Sequence, residues 1–331
     1  MTTSDTDASI VWFDDEKDRE SFARVLGDAT GLRVHFVNLE QKDVIQEIQG
    51  AVRRLPEPSL VLVDHVLTKA LPDSGVQKGT SVVAVLREKW ASPPVIAITA
   101  AYAECVEEVV SDVYEAIYPY DEKSVLINYV PSITSGYREL RHSVRDLADL
   151  IRLLRTPETE QQALRNSIPL VMRRSFESKE FAHHTFRWFR QRFHRKAGFL
   201  MDRRWTAVCL GIAEEHFAHY QDRVHDALYS GIFADPGDPR WWKAGLYATL
   251  LPQDRRRFSM ALQEAAREQF SIPEEHASKC YRCSEKWPEL IGDVDEAADA
   301  EPKPLHLRCS RTHSLAAPEP FYEERRVMLE Q

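Results

Sequence analysis

The chain has 331 residues, 43% of them hydrophobic and 29% charged, with 12 glycines and 18 prolines. That length predicts two or three domains, and the composition excludes a collagen-like or low-complexity protein. A formal charge of −9 argues against a uniformly basic coat for nucleic acid, and five cysteines are too few for a disulfide framework.

The start, MTTSDTDASIVWFDDE, lacks a basic and then apolar leader, and apolar runs are broken by charges well before the ~18 residues of a membrane span. A cytoplasmic chain with no membrane partner is expected. Residues 9–135 alternate strand-like and helix-like segments. SIVWF (9–13) is an apolar run that stops at Asp14-Asp15, and 16–27 carries Phe22, Val25 and Leu26 at helical spacing. LRVHFVN (32–38) reads as a second strand, and Val44, Ile45, Ile48 and Val52 mark a second helix. SLVLVD (59–64) is apolar enough to be buried on both faces. A helix over 79–90, a strand at PPVIAIT (93–99), a further helix and a weak strand at VYEAIY (113–118) complete the series. Alternation at this interval predicts βαβ units, a doubly wound parallel sheet and right-handed crossovers.

In such a sheet, functional groups gather at the carboxyl ends of the strands. Those ends carry Asp14-Asp15, Asp64 and Thr99. Three converging carboxylates repel one another, and oxygen ligands at a partly hydrated site suit Mg²⁺. A metal beside a carboxylate neutralises an incoming phosphoryl group, and a hydroxyl can bond the transferred oxygens.

On FDDE (13–16), LVLVDHVL (60–67), KGTSVVAVLREKW (78–90) and PPVIAITA (93–100), residues 9–130 resemble the receiver domain of bacterial response regulators. The resemblance implies a flavodoxin-like, five-stranded sheet. It implies Asp64 as phospho-acceptor, and Asp14, Asp15, Asp64 and the carbonyl of Val66 around Mg²⁺. Thr99 and the residue at the end of the fifth strand would sense the phosphoryl group, with a histidine kinase as partner. Two departures stand out. The family's Lys-Pro pair is Tyr118-Pro119 here, and a phenol cannot supply an ammonium's charge. The aromatic expected three positions earlier is Glu115. The stretch from Asp64 to Gly79 is also longer than the usual acceptor loop, long enough to cover the pocket. A degenerate receiver serving docking or homodimer formation is the alternative.

Past Pro131 the strand signal ends. YRELRHSVRDLADLIRLLR (137–155) predicts an amphipathic helix. Further helices are expected at about 179–196, 203–229 and 252–270, with a break at GIFADPGDPRWW (231–242). Residues 137–270 hold 23 Lys/Arg against 17 Asp/Glu, a net +6 that leaves −15 elsewhere. Ten basic residues against three acidic crowd into 173–204, where Arg187, Arg190, Arg192, Arg195 and Lys196 interleave with Phe186, Trp188, Phe189 and Phe193. Cations with stacking aromatics suit nucleic acid. Phenylalanines spaced by three and four suit the core stripe of a helix, and the arginines equally suit an acidic protein partner, including this chain's own N-terminal domain. Glu215, His216 and His219 share a helical face, the place to look for an enzyme site, although HFAH lacks the zinc-protease pattern. Trp241, Trp242 and Tyr247 read as core anchors.

Cys280 and Cys283 are two residues apart, and Cys309 and His313 are three apart after a 25-residue acidic span. Two half-sites of this kind close a tetrahedral zinc site, with His306 or His276 as alternative fourth ligands to His313. Such a set leaves no open position for substrate, so zinc is expected to be structural. Cys105 and Cys209 remain as lone thiols. The expected organisation is a receiver-like domain (1–135), an all-α domain (136–272) and a zinc-binding module (273–331). The expected protein is a signalling regulator or adaptor, gated by phosphorylation or docking and acting through protein partners, with a nucleic-acid-binding regulator and an enzyme as the other readings.

Overall fold

The computed structural model describes residues 9–71, 76–90, 93–102, 113–174, 176, 178, 181–194, 198–251, 259–286, 290–293, 303–306 and 309. The chain forms two compact units. Unit 1 comprises Met1–Leu154, Ile168–Arg190 and Asp235–Gly237; unit 2 comprises Arg155–Ser167, Gln191–Ala234 and Asp238–Gln331.

Unit 1 is built on five parallel strands: β1 (Ser9–Asp14), β2 (Arg33–Asn38), β3 (Leu60–Val63), β4 (Val95–Thr99) and β5 (Ala116–Pro119). Their order is β2-β1-β3-β4-β5, the flavodoxin-like arrangement. Every residue of β1, β3 and β4 is buried, as expected of branched aliphatic runs covered on both faces. Phe13 lies beside Val63 and Val63 beside Ala97, so Asp14 and Asp64 emerge level and Thr99 follows one residue beyond. The strand order reverses between β1 and β3, which opens a crevice at their carboxyl ends.

Among the described residues the helices of the sheet region are α1 (Glu20–Thr30), α2 (Val44–Arg54), α3 (Gly79–Arg87) and α4 (Lys123–Ser143), and the helix expected between the fourth and fifth strands falls on 103–112, outside them. Asp43 caps α2 by accepting from the Gln46 N–H at 3.1 Å. The helix predicted over 137–155 is two helices. Val144 is extended (φ −99°, ψ 122°). Asp146 then accepts from the Asp149 N–H at 2.9 Å to start α5 (Leu147–Leu153). An N-cap aspartate in mid-stripe outweighs apolar periodicity that runs through it. In the chain's next stretch come α6 (Gln161–Ser167), which belongs to unit 2, and α7 (Leu170–Arg173) and α8 (Phe181–Trp188), which belong to unit 1. Phe181, Phe186 and Phe189 are buried, and the Phe186 ring packs 5.3 Å from Tyr137 of α4.

Unit 2 contains β6 (Leu200–Met201) paired antiparallel with β7 (Trp241–Trp242). Around them lie α9 (Arg203–Cys209), α10 (Lys243–Leu250) and α11 (Ser259–Phe270). The helix predicted over 203–229 stops at Cys209 because Gly211 takes a left-handed φ of 71°. The rest of that stretch forms 3-10 turns, Glu214–His219 and Gln221–Ala227. Trp205, Phe217, Trp241, Leu246 and Phe270 share one core, so Trp241 is a core anchor. A third small sheet pairs β8 (Leu290–Asp293) antiparallel with β9 (Lys303–His306). Among the described residues no helix is long and apolar enough to cross a membrane.

Candidate functional site

The acidic pocket forms at the crevice. Asp14 ends β1, Asp15 follows it and Asp64 follows β3; one carboxylate oxygen from each lies within 4.8 Å of the others. All three are buried, as is Thr99 at the end of β4. The Thr99 hydroxyl accepts from the Ala101 N–H at 3.1 Å, and the Val66 N–H donates to Asp64 Oδ1 at 3.3 Å. The Lys69 N–H donates to Asp15 Oδ2. Lys69 Nζ also reaches Glu16 Oε1 at 3.1 Å, so Lys69 of the loop after Asp64 lies against the acids.

Sequence reasoning missed the group that holds this pocket together. Arg19, on the short turn Lys17–Arg19 before α1, donates from Nη1 to Asp14 Oδ2 (3.0 Å) and Asp64 Oδ2 (2.8 Å). Its Nε donates to Glu16 Oε2 at 3.1 Å, and its Cζ lies 4.3 Å from the centre of the Tyr120 ring. Burial pushes the Asp14 carboxyl up to about 7, with the Asp64 charge adding to the rise and Arg19 opposing it. Burial also pushes Asp64 up, to about 6, against the pull of Arg19 and the Val66 N–H. The positive charge that Tyr118 cannot supply therefore comes from another element. No local pattern marks Arg19: it sits on the turn before α1, and its two acceptors are 5 and 45 positions away.

Tyr118 itself packs edge-on against Tyr129 (6.5 Å), with the Arg190 guanidinium 5.1 Å from the Tyr129 ring centre and 5.9 Å from that of Tyr118. Glu115, the other departure, is buried at the foot of β5. It accepts from Arg87 Nη2 (3.0 and 2.9 Å) and the Val95 N–H (2.6 Å). His183 Nδ1 lies 3.1 Å and Arg187 Nη2 3.8 Å from its Oε1. Arg187 and Arg190 are thus engaged inside unit 1. Arg192 is exposed, and Arg195 and Lys196 lie outside the described residues.

The loop that carries Asp64 is pinned by a close approach. The Gly79 N–H donates to the His65 carbonyl at 2.8 Å, and Leu67 bonds Gln77. A Cβ at Gly79 would collide with the Asp64 carbonyl oxygen and come within 2.7 Å of the Tyr114 hydroxyl. Gly79→Ala is expected to lower stability by about 1–3 kcal/mol through overpacking, read as a lower thermal midpoint. A midpoint equal to that of the wild type would show that the loop has room to give.

A second cluster lies in unit 2. Ligand atoms of Cys280, Cys283, His306 and Cys309 lie within 4.8 Å of one another. Cys283 Sγ is 3.1 Å from His306 Nδ1, and His306 Nε2 is 3.1 Å from the Lys286 carbonyl. With Nε2 as the donor to that carbonyl, Nδ1 is left free to ligate, the usual division of roles in a metal-bound imidazole. Cys280 is buried, which raises its thiol pKa, but the N–H groups of His306, Cys283 and Arg282 outweigh this and hold it at about 6. Ser284 takes a positive φ of 60°, which closes the turn after Cys283. His306 reaches the cysteines because β9 pairs with β8, setting it opposite Leu290. His313 lies outside the described residues.

His276, the other alternative ligand, is stacked on His216 at 4.0 Å between ring centres and lies 5.6 Å from His219. Tyr220 Oη is 2.7 Å from its Nδ1. Among the described residues, these three imidazoles do not bring their nitrogens to a common centre as the cysteine cluster does. Cys209 is buried in the core of unit 2, and Cys105 lies outside the described residues.

No protein-family model and no curated protein matches the chain. Solved structures do. The receiver domain of a sensor histidine kinase of Pseudomonas aeruginosa PAO1, with a magnesium ion in its active-site cleft, is 20% identical over 37% of this chain and 94% of that one (TM-score 0.28). The signal receiver domain of an HD-domain-containing protein of Pseudomonas fluorescens Pf-5 is 15% identical over 44% and 98% (TM-score 0.33). NtrX of Brucella abortus is 16% identical over 50% and 34% (TM-score 0.33). The class of unit 1 rests on its own strand order, which is that of a flavodoxin-like sheet.

Proposed function

We propose that the protein is a receiver-containing regulator or adaptor, with Asp64 as the phospho-acceptor and unit 2 as the output. The observation that carries this reading is the set of three buried carboxylates with a threonine hydroxyl at the crevice where strand order reverses. Asp14, Asp15, Asp64 and the Val66 carbonyl would hold Mg²⁺, which supplies charge neutralisation to a phosphoryl group. The three oxygen donors suit a hard cation in kind and spacing. A histidine kinase is the matching phosphodonor protein. Cys280, Cys283, His306 and Cys309 would hold a structural Zn²⁺, three thiolates and one imidazole being a closed tetrahedral set.

Incubation with acetyl phosphate and Mg²⁺ tests the first part. The expected result is a mass gain of one phosphoryl group, absent from Asp64→Asn. No gain in the wild type, or an equal gain in the variant, would remove Asp64 as acceptor and leave partner docking as the way the module is read.

A further inference from the structure

The position between Asp14 and Asp64 is filled by a side chain. Arg19 Nη1 bonds Asp14 Oδ2 at 3.0 Å and Asp64 Oδ2 at 2.8 Å. Its Nε bonds Glu16, and the Tyr120 ring lies 4.3 Å from its Cζ. Arg19 is itself buried, 5% exposed. Mg²⁺ takes carboxylate oxygens at about 2.0–2.1 Å. A metal bridging the same two oxygens would need the same lone pairs and the same space, beside a like charge. We propose that Arg19 is a built-in counter-cation that competes with divalent metal for Asp14 and Asp64, so that metal enters only when the guanidinium leaves. This inference rests on the reading of the pocket as the regulatory site.

The surroundings give the guanidinium somewhere to go. The Glu16 side chain, 39% exposed, already holds Nε at the mouth of the pocket. An outward rotation of Arg19 keeps that partner while releasing the two aspartates. Arg19 thereby offsets part of the pocket's charge without metal, one cation beside the carboxylates of Asp14, Asp15 and Asp64. Charge-assisted bonds of this kind bias an equilibrium enough that their loss is read as a clear change in affinity.

The test is calorimetric titration of the full chain with MgCl₂ alone. Arg19→Gln is expected to bind about tenfold or more tightly than the wild type. Tyr120→Leu, which removes the ring beneath the guanidinium and no charge, is expected to shift affinity in the same direction by less. Adding Asp64→Asn to Arg19→Gln is expected to abolish the gain. A folded Arg19→Gln that binds no more tightly than the wild type overturns the proposal, as does a gain that survives Asp64→Asn. If Arg19→Gln does not fold, Tyr120→Leu decides by the same criterion. Acetyl phosphate labelling of the same samples reports separately on Asp64. Tightened Mg²⁺ binding with no label leaves the competition standing and removes only the phosphorylation reading.

Discussion

Cys280→Ser is expected to release the metal and unfold the C-terminal part of unit 2, the largest effect of any single substitution considered. The apolar cluster there consists of Cys280, Leu290 and Leu305, with Cys309 packed against it. A core of the size seen among the described residues cannot offset the entropy of ordering two strands and a turn. Zinc in modules of this size binds with about 10–16 kcal/mol of apparent free energy at neutral pH, and that is folding free energy. Purified wild type should carry one zinc per chain, lose it to a strong chelator and melt at a lower temperature afterwards. Cys280→Ser should start in that chelated state. Full metal content and an unchanged melt in the variant would refute the site.

Glu115→Ala is expected to be the most damaging substitution in unit 1. Both of its oxygens accept from Arg87 Nη2, one also from a main-chain N–H, and a His183 nitrogen lies beside them. Truncating it leaves the Arg87 guanidinium without its buried counter-charge and removes the acceptor beside His183 Nδ1. Breaking such a pair from one side costs about 3–5 kcal/mol. Acid should reveal the same interaction. Burial alone would raise the Glu115 pKa, but the His183 bond, the Arg87 charge and the Val95 N–H outweigh it and hold the carboxyl below its ordinary value. Its folded pKa is depressed, so its contribution is fully present above the ordinary glutamate pKa of about 4.3 and fades as pH falls through the lower folded value. The urea midpoint of the wild type should therefore drop more steeply across that acid window than that of Glu115→Gln. Parallel profiles, or an unchanged midpoint in Glu115→Ala, would show that the pair contributes nothing net.

The sheet was legible in the sequence because β1, β3 and β4 are apolar from end to end, and because each such run stops at a residue that cannot be buried without a partner. Asp14, Asp64 and Thr99 could be placed at one crevice for the same reason. Arg19 could not, since its two acceptors are 5 and 45 positions away and meet only once β1 and β3 are in register. Glu115 was visible as a charge in an otherwise apolar strand, yet its partners lie at positions 87 and 183, beyond the reach of any local pattern. The pattern of arginines at 187 and 190 fits nucleic acid, a wet helix face or an acidic partner equally, and the fold turns both toward unit 1's own Glu115, Tyr118 and Tyr129. In unit 2, periodicity failed where one backbone angle decides, at Gly211. That His306 reaches Cys283 depends on the β8–β9 pairing, which a long acidic span between half-sites does not reveal.

Gln263 of α11 is buried, and both ends of its amide are committed to one residue. Its Nε2 donates to the Leu290 carbonyl at 2.6 Å, and its Oε1 accepts from the Leu290 N–H at 3.2 Å. That is the pair of bonds a neighbouring strand would make, delivered here by a side chain from a helix. At this point β8 has no open edge: the groups that would otherwise recruit a foreign strand are already answered. A two-stranded ribbon that alone would be marginal in water thus has the Leu290 position of its β8 edge answered from within the molecule.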